Sequence, residues 1–205
     1  MTDLERALAD ITAIRSQVAR GTQFRGYGPA TIAATGVLTI VAALVQAAWI
    51  PEPDGKVLRY LALWVGVATL SVGLIVVEML ARTRRIHSGY ADEMLYTAVE
   101  QFMPAAVAGA VMTVVLWRTA PQTLWMIPGL WQVIFSLGIF ASCRSLPPAM
   151  FWAGVWYLVA GLVTLAATSD AFAFSPYAMA IPFGVGQFYI AFVLFSSVGA
   201  DDGEN

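Results

Sequence analysis

Apolar residues along this chain fall into six long runs that short polar connections separate. An α-helix needs about 20 residues to cross the hydrocarbon core of a bilayer, and most of the runs are close to this length. None of them alternates apolar and polar positions as a strand of a membrane barrel does. The pattern therefore predicts an all-α fold with six transmembrane helices, which are expected to cover residues 30–49, 60–80, 103–117, 124–143, 150–168 and 177–198.

The six runs divide the chain into three parts. Residues 1–28 are polar and charged, residues 29–198 form a six-helix transmembrane domain, and residues 199–205 form a short acidic cytoplasmic tail. Apolar residues make up 59% of the chain and charged residues only 12%, whereas a soluble domain carries about 25% charged residues. The chain is therefore predicted to be a polytopic integral membrane protein whose first partner is the lipid bilayer.

A separate amphipathic helix is predicted before the first span. Residues 2–5 have the pattern of a capping box, and Gly21 is a typical stop signal. Between them, Leu4, Ile11 and Val18 recur on one helix face. An apolar stripe on a cytoplasmic helix has to be covered, either by the membrane surface, by the protein's own loops, by a cytoplasmic protein partner or by a second copy of the chain.

Positive charges are unevenly distributed between the two sides of the predicted bundle. Most arginines lie in the N-terminal segment and in the second and fourth connections, whereas Lys56, Arg59 and Arg118 lie on the opposite side. Because cytoplasmic loops are enriched in Lys and Arg, both termini are predicted to be cytoplasmic. The first 29 residues lack the short apolar core of a signal peptide, and the arginine-rich, lysine-poor composition favours a bacterial inner (plasma) membrane.

The predicted spans also resemble one another in pairs. Each odd-numbered span begins with Pro-Ala and has a glycine five to seven residues later, which gives the pairs Pro29 and Gly36, Pro104 and Gly109, and Pro148 and Gly154. One interpretation is an internal repeat of three two-helix hairpins about a pseudo-threefold axis along the membrane normal. The other is chance likeness among apolar helices, in which proline at a first turn is ordinary.

Polar side chains within the spans are the candidates for ligand binding. Gln132 and Gln187 lie several residues into the fourth and sixth predicted spans. Because an unpaired amide in hydrocarbon is costly, each is expected to face the bundle interior, where it either bonds another helix or lines a ligand cavity. Tyr157, Tyr189 and Ser136 are candidates for the same polar network.

A second group of candidates is charged and lies near one predicted membrane interface. Glu78 and Arg82 are one helical turn apart, with Arg85 following on the same segment, and Glu100 enters the third span from the same side. A carboxylate at this depth can bind a proton or a cation. The alternative is an interfacial anchor in which arginine extends its side chain to water.

Several catalytic and cofactor classes lack the residues that they need. His87 is the single histidine, which excludes a bis-histidine haem and a zinc-protease motif within one chain. Cys143, the single cysteine, provides neither a disulfide framework nor a dithiol pair. A net charge of −2 without a long basic run argues against a nucleic-acid partner. We therefore expect no enzymatic activity, no cofactor and no metal site.

Two functions stay open at this point. The first is binding or transport of a small molecule or lipid through an intramembrane cavity, and its mark would be Gln132 and Gln187 facing a common cavity. The second is a membrane-embedded regulatory or assembly subunit that docks a partner through the N-terminal helix and the cytoplasmic connection 82–102. Its mark would be an exposed apolar stripe on the N-terminal helix.

Overall fold

The computed structural model describes residues 28–50, 57–85, 89–143, 146–167 and 170–202, with the side chains of 82–99, 168–171 and 197–202 left out of the description. All regular secondary structure in these residues is helical. The six main helices are α1 (Pro29–Trp49), α2 (Val57–Arg85), α3 (Gly89–Thr119), α4 (Ile127–Ser142), α5 (Met150–Ala166) and α6 (Pro176–Asp202). A 3-10 helix, Pro121–Met126, leads into α4, and a four-residue helix, Asp170–Ala173, precedes α6.

Five segments are long and apolar enough to cross a membrane, namely Pro29–Trp49, Val57–Ala81, Glu100–Thr119, Pro121–Ser142 and Pro176–Ser196. These segments confirm the prediction of a helical, multi-pass membrane protein. The predicted fifth span corresponds to α5, which has only 17 residues. At 1.5 Å per residue this helix is about 25 Å long, somewhat less than the roughly 30 Å hydrocarbon core.

The third helix differs from the prediction at its start. The predicted span begins at Met103, with a backward extension through Leu95 to Phe102 left open, and α3 runs without a break from Gly89 to Thr119 with Pro104 in its interior. A membrane helix tolerates an interior proline because neighbouring groups take over the freed backbone partners. Pro29, by contrast, occupies the first turn of α1, where its missing N–H has no cost.

The helices pack in chain order around a ring. α1 packs on α2 and on α6, α4 packs on α3 and on α5, and α5 packs on α6. Although α2 and α3 are consecutive, they touch each other only sparsely. The α4–α5 contact is especially close, because a Cβ atom added at Gly161 would lie 2.8 Å from the carbonyl oxygen of Gly129. The ring is therefore tightly closed except between α2 and α3.

Buried side chains form a cluster near each end of the bundle. The end at which α1 stops is called here the Trp49 end, and its cluster includes Tyr60, Trp64, Ile127, Phe174 and Met179. The end at which α5 begins is called the Met150 end, and its cluster includes Ile32, Met150, Ala191, Val193 and Leu194. A third cluster, formed by Ile139, Ala153 and Tyr157, joins α4 to α5. The buried residues of the three clusters come from every main helix except α3, which packs mainly on α4 and places Leu116 against the cluster at the Trp49 end.

Some predicted features lie outside the described residues. These include the N-terminal amphipathic helix with Leu4, Ile11 and Val18, and residues 203–205 of the acidic tail. The first residues of that tail continue α6, which ends at Asp202.

Candidate functional site

Two buried glutamines fix the beginning of α6. Gln46, on α1, donates from Nε2 to the carbonyl oxygen of Phe174 at 2.6 Å. Its Oε1 accepts a hydrogen bond of 2.7 Å from Nε1 of Trp64, on α2. Both ends of the amide are thus paired, and Gln46 is fully buried. The sequence prediction did not single out Gln46, although an amide inside an apolar run is the same signal that pointed to Gln132.

Gln132 reaches α6 one turn further along. Its Nε2 donates to the carbonyl oxygen of Ala178 at 2.8 Å. Pro182 lies four residues after Ala178 and has no N–H, so the normal helical partner of this carbonyl is missing. Gln132 supplies the missing donor from α4. Its own Oε1 is buried and has no hydrogen-bond partner.

Tyr157 occupies the centre of the α4–α5–α6 interface. Its ring lies between Phe135 and Phe183, with centroid distances of 4.7 Å and 5.2 Å. The ring and hydroxyl also rest directly on Gly186, where any added Cβ atom would overlap them. The hydroxyl is fully buried without a well-aligned hydrogen bond, although the half-buried amide of Gln187 approaches it.

The two remaining candidates for ligand binding are engaged elsewhere. Ser136 is fully buried, and its Oγ donates to the carbonyl oxygen of Val133 in its own helix at 2.6 Å. Tyr189 donates from its hydroxyl to the carbonyl oxygen of Ala149 at 3.0 Å, which ties α6 to the connection before α5. Gln132, Tyr157 and Gln187 therefore offer groups to the interior, whereas Ser136 and Tyr189 stabilise local structure.

A third buried group without a partner lies at the Trp49 end. The Tyr60 hydroxyl is fully buried and unpaired. Its ring packs edge-on against Phe174 at 5.0 Å and is tilted against Trp64 at 6.3 Å. No pattern in the sequence pointed to Tyr60, since a tyrosine at the start of a span is ordinarily an interfacial residue.

The predicted charge cluster is described only in part. Glu78 is half-buried on α2, and Glu100 is exposed on α3. Arg82 and Arg85 belong to the last turns of α2, beyond its apolar part, and their side chains lie outside the described residues. Both carboxylates lie towards the Met150 end of the bundle. Among the described residues, no group of three or more His, Cys, Asp or Glu side chains is placed to hold a metal ion.

Comparisons of the chain with protein-family models, with curated proteins and with solved structures found no match. Any functional conclusion therefore depends on the chain's own side chains and their environment. The buried polar atoms without partners are the features that ordinary packing explains least, because almost all buried polar groups in proteins are hydrogen-bonded.

Proposed function

We propose that the protein is a small, non-enzymatic integral membrane protein that binds a small molecule or lipid inside its helix bundle, as a transporter or a substrate-capturing subunit does. One observation carries this proposal. Gln132 Oε1 is buried without a partner, and the Tyr157 hydroxyl is buried with only the Gln187 amide approaching it. The sequence selected both residues for ligand binding. A ligand with a hydrogen-bonding group would satisfy either of them.

The energetic argument favours an occupant of the bundle interior. A buried polar group without a partner costs about 1–3 kcal/mol, and the cost persists in a membrane because lipid chains offer no hydrogen bonds. Water is the rival to an organic ligand, since a buried water usually makes about three hydrogen bonds. Phe183 packs against the Tyr157 ring, and both Phe183 and Gln187 are only half-buried, which favours an occupant larger than one water.

Packing of the helices supports the proposed repeat of three hairpins. In such a ring, α6–α1, α4–α5 and α2–α3 would be equivalent contacts between hairpins. The first two are close, whereas the third is sparse. We propose that the three hairpins are related by a pseudo-threefold axis and that the contact between α2 and α3 is open. The opening would then provide a lateral route from the bilayer to the interior.

The proposed location is a bacterial inner (plasma) membrane with both termini in the cytoplasm. Its support is the distribution of arginines along the sequence. In this orientation the Met150 end faces the cytoplasm, and Glu78, Arg82, Arg85 and Glu100 lie near the cytoplasmic interface as anchors or as a proton or cation site.

Native mass spectrometry of the gently extracted protein tests the binding proposal. We expect the wild-type chain to carry an organic molecule of defined mass. Tyr157→Phe removes the unpaired hydroxyl but keeps the packed ring, and we expect it to lower occupancy about tenfold, which corresponds to about 1.4 kcal/mol.

Ser136→Ala is the matched control, because this buried hydroxyl already bonds its own helix. We expect it to retain the molecule. Equal occupancy in all three proteins, or no organic molecule on the wild type, would contradict the proposal.

A second function, that of a regulatory or assembly subunit, has support from α3. This helix packs mainly on α4. Its largely exposed side chains are Met103, Val107, Val111, Val114, Val115 and Trp117. Such a surface is suited to another membrane helix as well as to lipid. A second polypeptide that copurifies, and that is lost when residues 1–21 are deleted, would favour this function and would identify Leu4, Ile11 and Val18 as docking residues.

A further inference from the structure

The first half of α6 is held by side chains from three other helices. Gln46 of α1 and Gln132 of α4 donate to carbonyl oxygens at and just before its start, as described above. Trp156, on α5, donates from Nε1 to the carbonyl oxygen of Pro182 at 2.9 Å. The three acceptors lie four residues apart in sequence and are Phe174, Ala178 and Pro182. Residues 176–182 are therefore fixed against α1, α4 and α5.

The backbone of α6 is easiest to bend directly after this fixed half. Pro182 has no N–H, so the helical hydrogen bond to the Ala178 carbonyl is missing. Gly184 and Gly186 follow, and glycine weakens a helix interior relative to alanine. A Cβ atom added at Gly184 would meet only Ile40, at 3.8 Å, so close packing does not require a glycine there. Proline and small residues of this kind are the usual places at which a helix kinks.

A second segment that bends easily lies on α1 at the same level. Thr35 and Thr39 are buried, and each donates its hydroxyl to a backbone carbonyl of its own helix, at 2.7 Å and 3.0 Å respectively. Such hydrogen bonds slightly destabilise a helix and often bend it. Gly36 lies between the two threonines, and a Cβ atom added there would lie 3.3 Å from Cβ of Gln187. This segment of α1 therefore packs directly on α6 just beyond Gly186.

Towards the Met150 end, α6 packs more extensively on α1 than on α5. Ile32 of α1 belongs to the buried cluster that contains the last described side chains of α6, and Met150 of α5 joins the same cluster. The other contacts with α5 are the Tyr157 ring, which rests on α6, and the hydrogen bond from Tyr189 to the connection before α5. If α6 moves at this end, α1 is therefore the helix that moves with it.

We propose that α1 and α6 bend together, at residues 35–39 and 182–186, so that the half of α6 at the Met150 end moves away from α5. The first half of α6 stays in place because its three side-chain donors hold it. The movement uncovers the Tyr157 hydroxyl, which is buried in the structure described here, so this structure is the closed form of the bundle. The bend goes beyond the proposed function, because it is a property of the chain with or without a bound molecule.

The length of the moving half sets the size of the displacement. The helix from Gly186 to Phe195 is about 14 Å long at 1.5 Å per residue. A kink at a proline changes the direction of a helix by about 20° or more. The end of the moving half is therefore displaced by about 5 Å, a change that distances between spin labels resolve.

Double electron–electron resonance between pairs of spin labels tests the bend. The labels are attached to cysteines in the full chain carrying Cys143→Ser, in vesicles of phosphatidylethanolamine and phosphatidylglycerol. One pair, Trp152→Cys and Phe195→Cys, joins exposed positions of α5 and α6 at the Met150 end. The reference pair, Leu162→Cys and Tyr177→Cys, joins exposed positions of the same two helices at the Trp49 end.

Gly186→Ala forces the movement, because its Cβ atom would overlap the ring and hydroxyl of Tyr157. We expect the distance at the Met150 end to lengthen by about 5 Å, while the reference distance stays unchanged. Tyr157→Leu removes the overlapping ring, so adding it to Gly186→Ala should restore the wild-type distance. Gly66→Ala is the matched control, because its Cβ atom meets nothing within 4 Å, and it should leave both distances unchanged.

A second variant stiffens α6 without any overlap and serves if Gly186→Ala does not fold. Pro182→Ala restores the missing N–H, and Gly184→Ala adds a Cβ atom for which there is space. We expect the wild-type chain to show a second, longer distance at the Met150 end. The chain that carries both substitutions should lose at least half of this longer population.

Equal lengthening of both distances in Gly186→Ala would show that α6 moves as a rigid rod and would overturn the bend. Distances identical to those of the wild type in Gly186→Ala would do the same, as would equal distance distributions in the wild-type and stiffened chains. Because the spin labels report on the chain itself, these failures leave the binding proposal standing. A wild-type chain that bends but carries no molecule of defined mass would overturn the binding proposal alone.

Discussion

Gln132 donates to the carbonyl oxygen of Ala178 across the α4–α6 interface at 2.8 Å, and Pro182 leaves that oxygen without its helical donor. The amide and the proline therefore act together. Pro182 interrupts the backbone hydrogen bonds of α6, and the side chain of Gln132 on another helix supplies the missing donor. The same pairing leaves Gln132 Oε1 free of partners in the interior, which connects the architecture of α6 to the proposed ligand.

We expect Gln132→Leu to lower the free energy of unfolding by about 0.6–2 kcal/mol, the range measured for hydrogen bonds between membrane helices. Pro182→Ala restores an N–H for the Ala178 carbonyl, so the cost of Gln132→Leu should become smaller in that background. A double-mutant cycle of unfolding in detergent measures the coupling. An equal cost of Gln132→Leu in both backgrounds would contradict the role given to Pro182.

Gln46→Leu leaves two groups without their hydrogen-bond partner, the Trp64 indole N–H and the Phe174 carbonyl. We expect it to cost more than Trp64→Phe, which removes the indole donor and leaves only Gln46 Oε1 unpaired. Each lost bond should contribute about 0.6–2 kcal/mol. Thermal unfolding in one detergent compares the two variants, and the opposite order of stability would show that Gln46 does not hold the start of α6.

The contact between α4 and α5 should not accept a side chain at Gly161. An added Cβ atom would meet backbone atoms, the Gly129 carbonyl at 2.8 Å and the Val133 nitrogen at 3.0 Å. We expect Gly161→Ala to destabilise the bundle by about 1–3 kcal/mol, as overpacking does. Gly66→Ala is the control, because its Cβ meets nothing within 4 Å. Equal thermal stability of both variants would refute the close approach.

Tyr60→Phe should leave stability unchanged or raise it slightly. The Tyr60 hydroxyl is buried without a partner, so its removal relieves a desolvation cost of about 1–3 kcal/mol at most, while the ring keeps its contact with Phe174. Chemical unfolding in detergent measures the difference. A clear loss of stability would mean that a bound molecule or water pairs with this hydroxyl at the Trp49 end.

The helices could be predicted from the sequence because apolar run length is a local property. The first predicted span, 30–49, differs from α1 by one residue. The start of the third helix stayed open in the sequence, because a proline such as Pro104 marks a helix start only where no neighbouring group compensates for its missing N–H. That compensation depends on the surrounding helices and cannot be read from the residues nearby in sequence.

The site was less accessible to prediction. The amides of Gln132 and Gln187 stand out in apolar runs, so their selection needed only the sequence. The donor role of Gln132 depends on Ala178 and Pro182 in another helix, and the burial of Tyr157 depends on Phe135 and Phe183, which are far apart in sequence. Such relationships arise from the packing of the ring and have no local signal.

The central claim is that a small molecule or lipid occupies the bundle interior beside Tyr157 and Gln187. The most direct measurement is native mass spectrometry of the wild-type chain and of Tyr157→Phe, extracted from the same membranes under the same conditions. We predict one organic molecule of defined mass on the wild type and about tenfold lower occupancy on the variant. A wild-type chain without such a molecule, or equal occupancy on both proteins, would contradict the account.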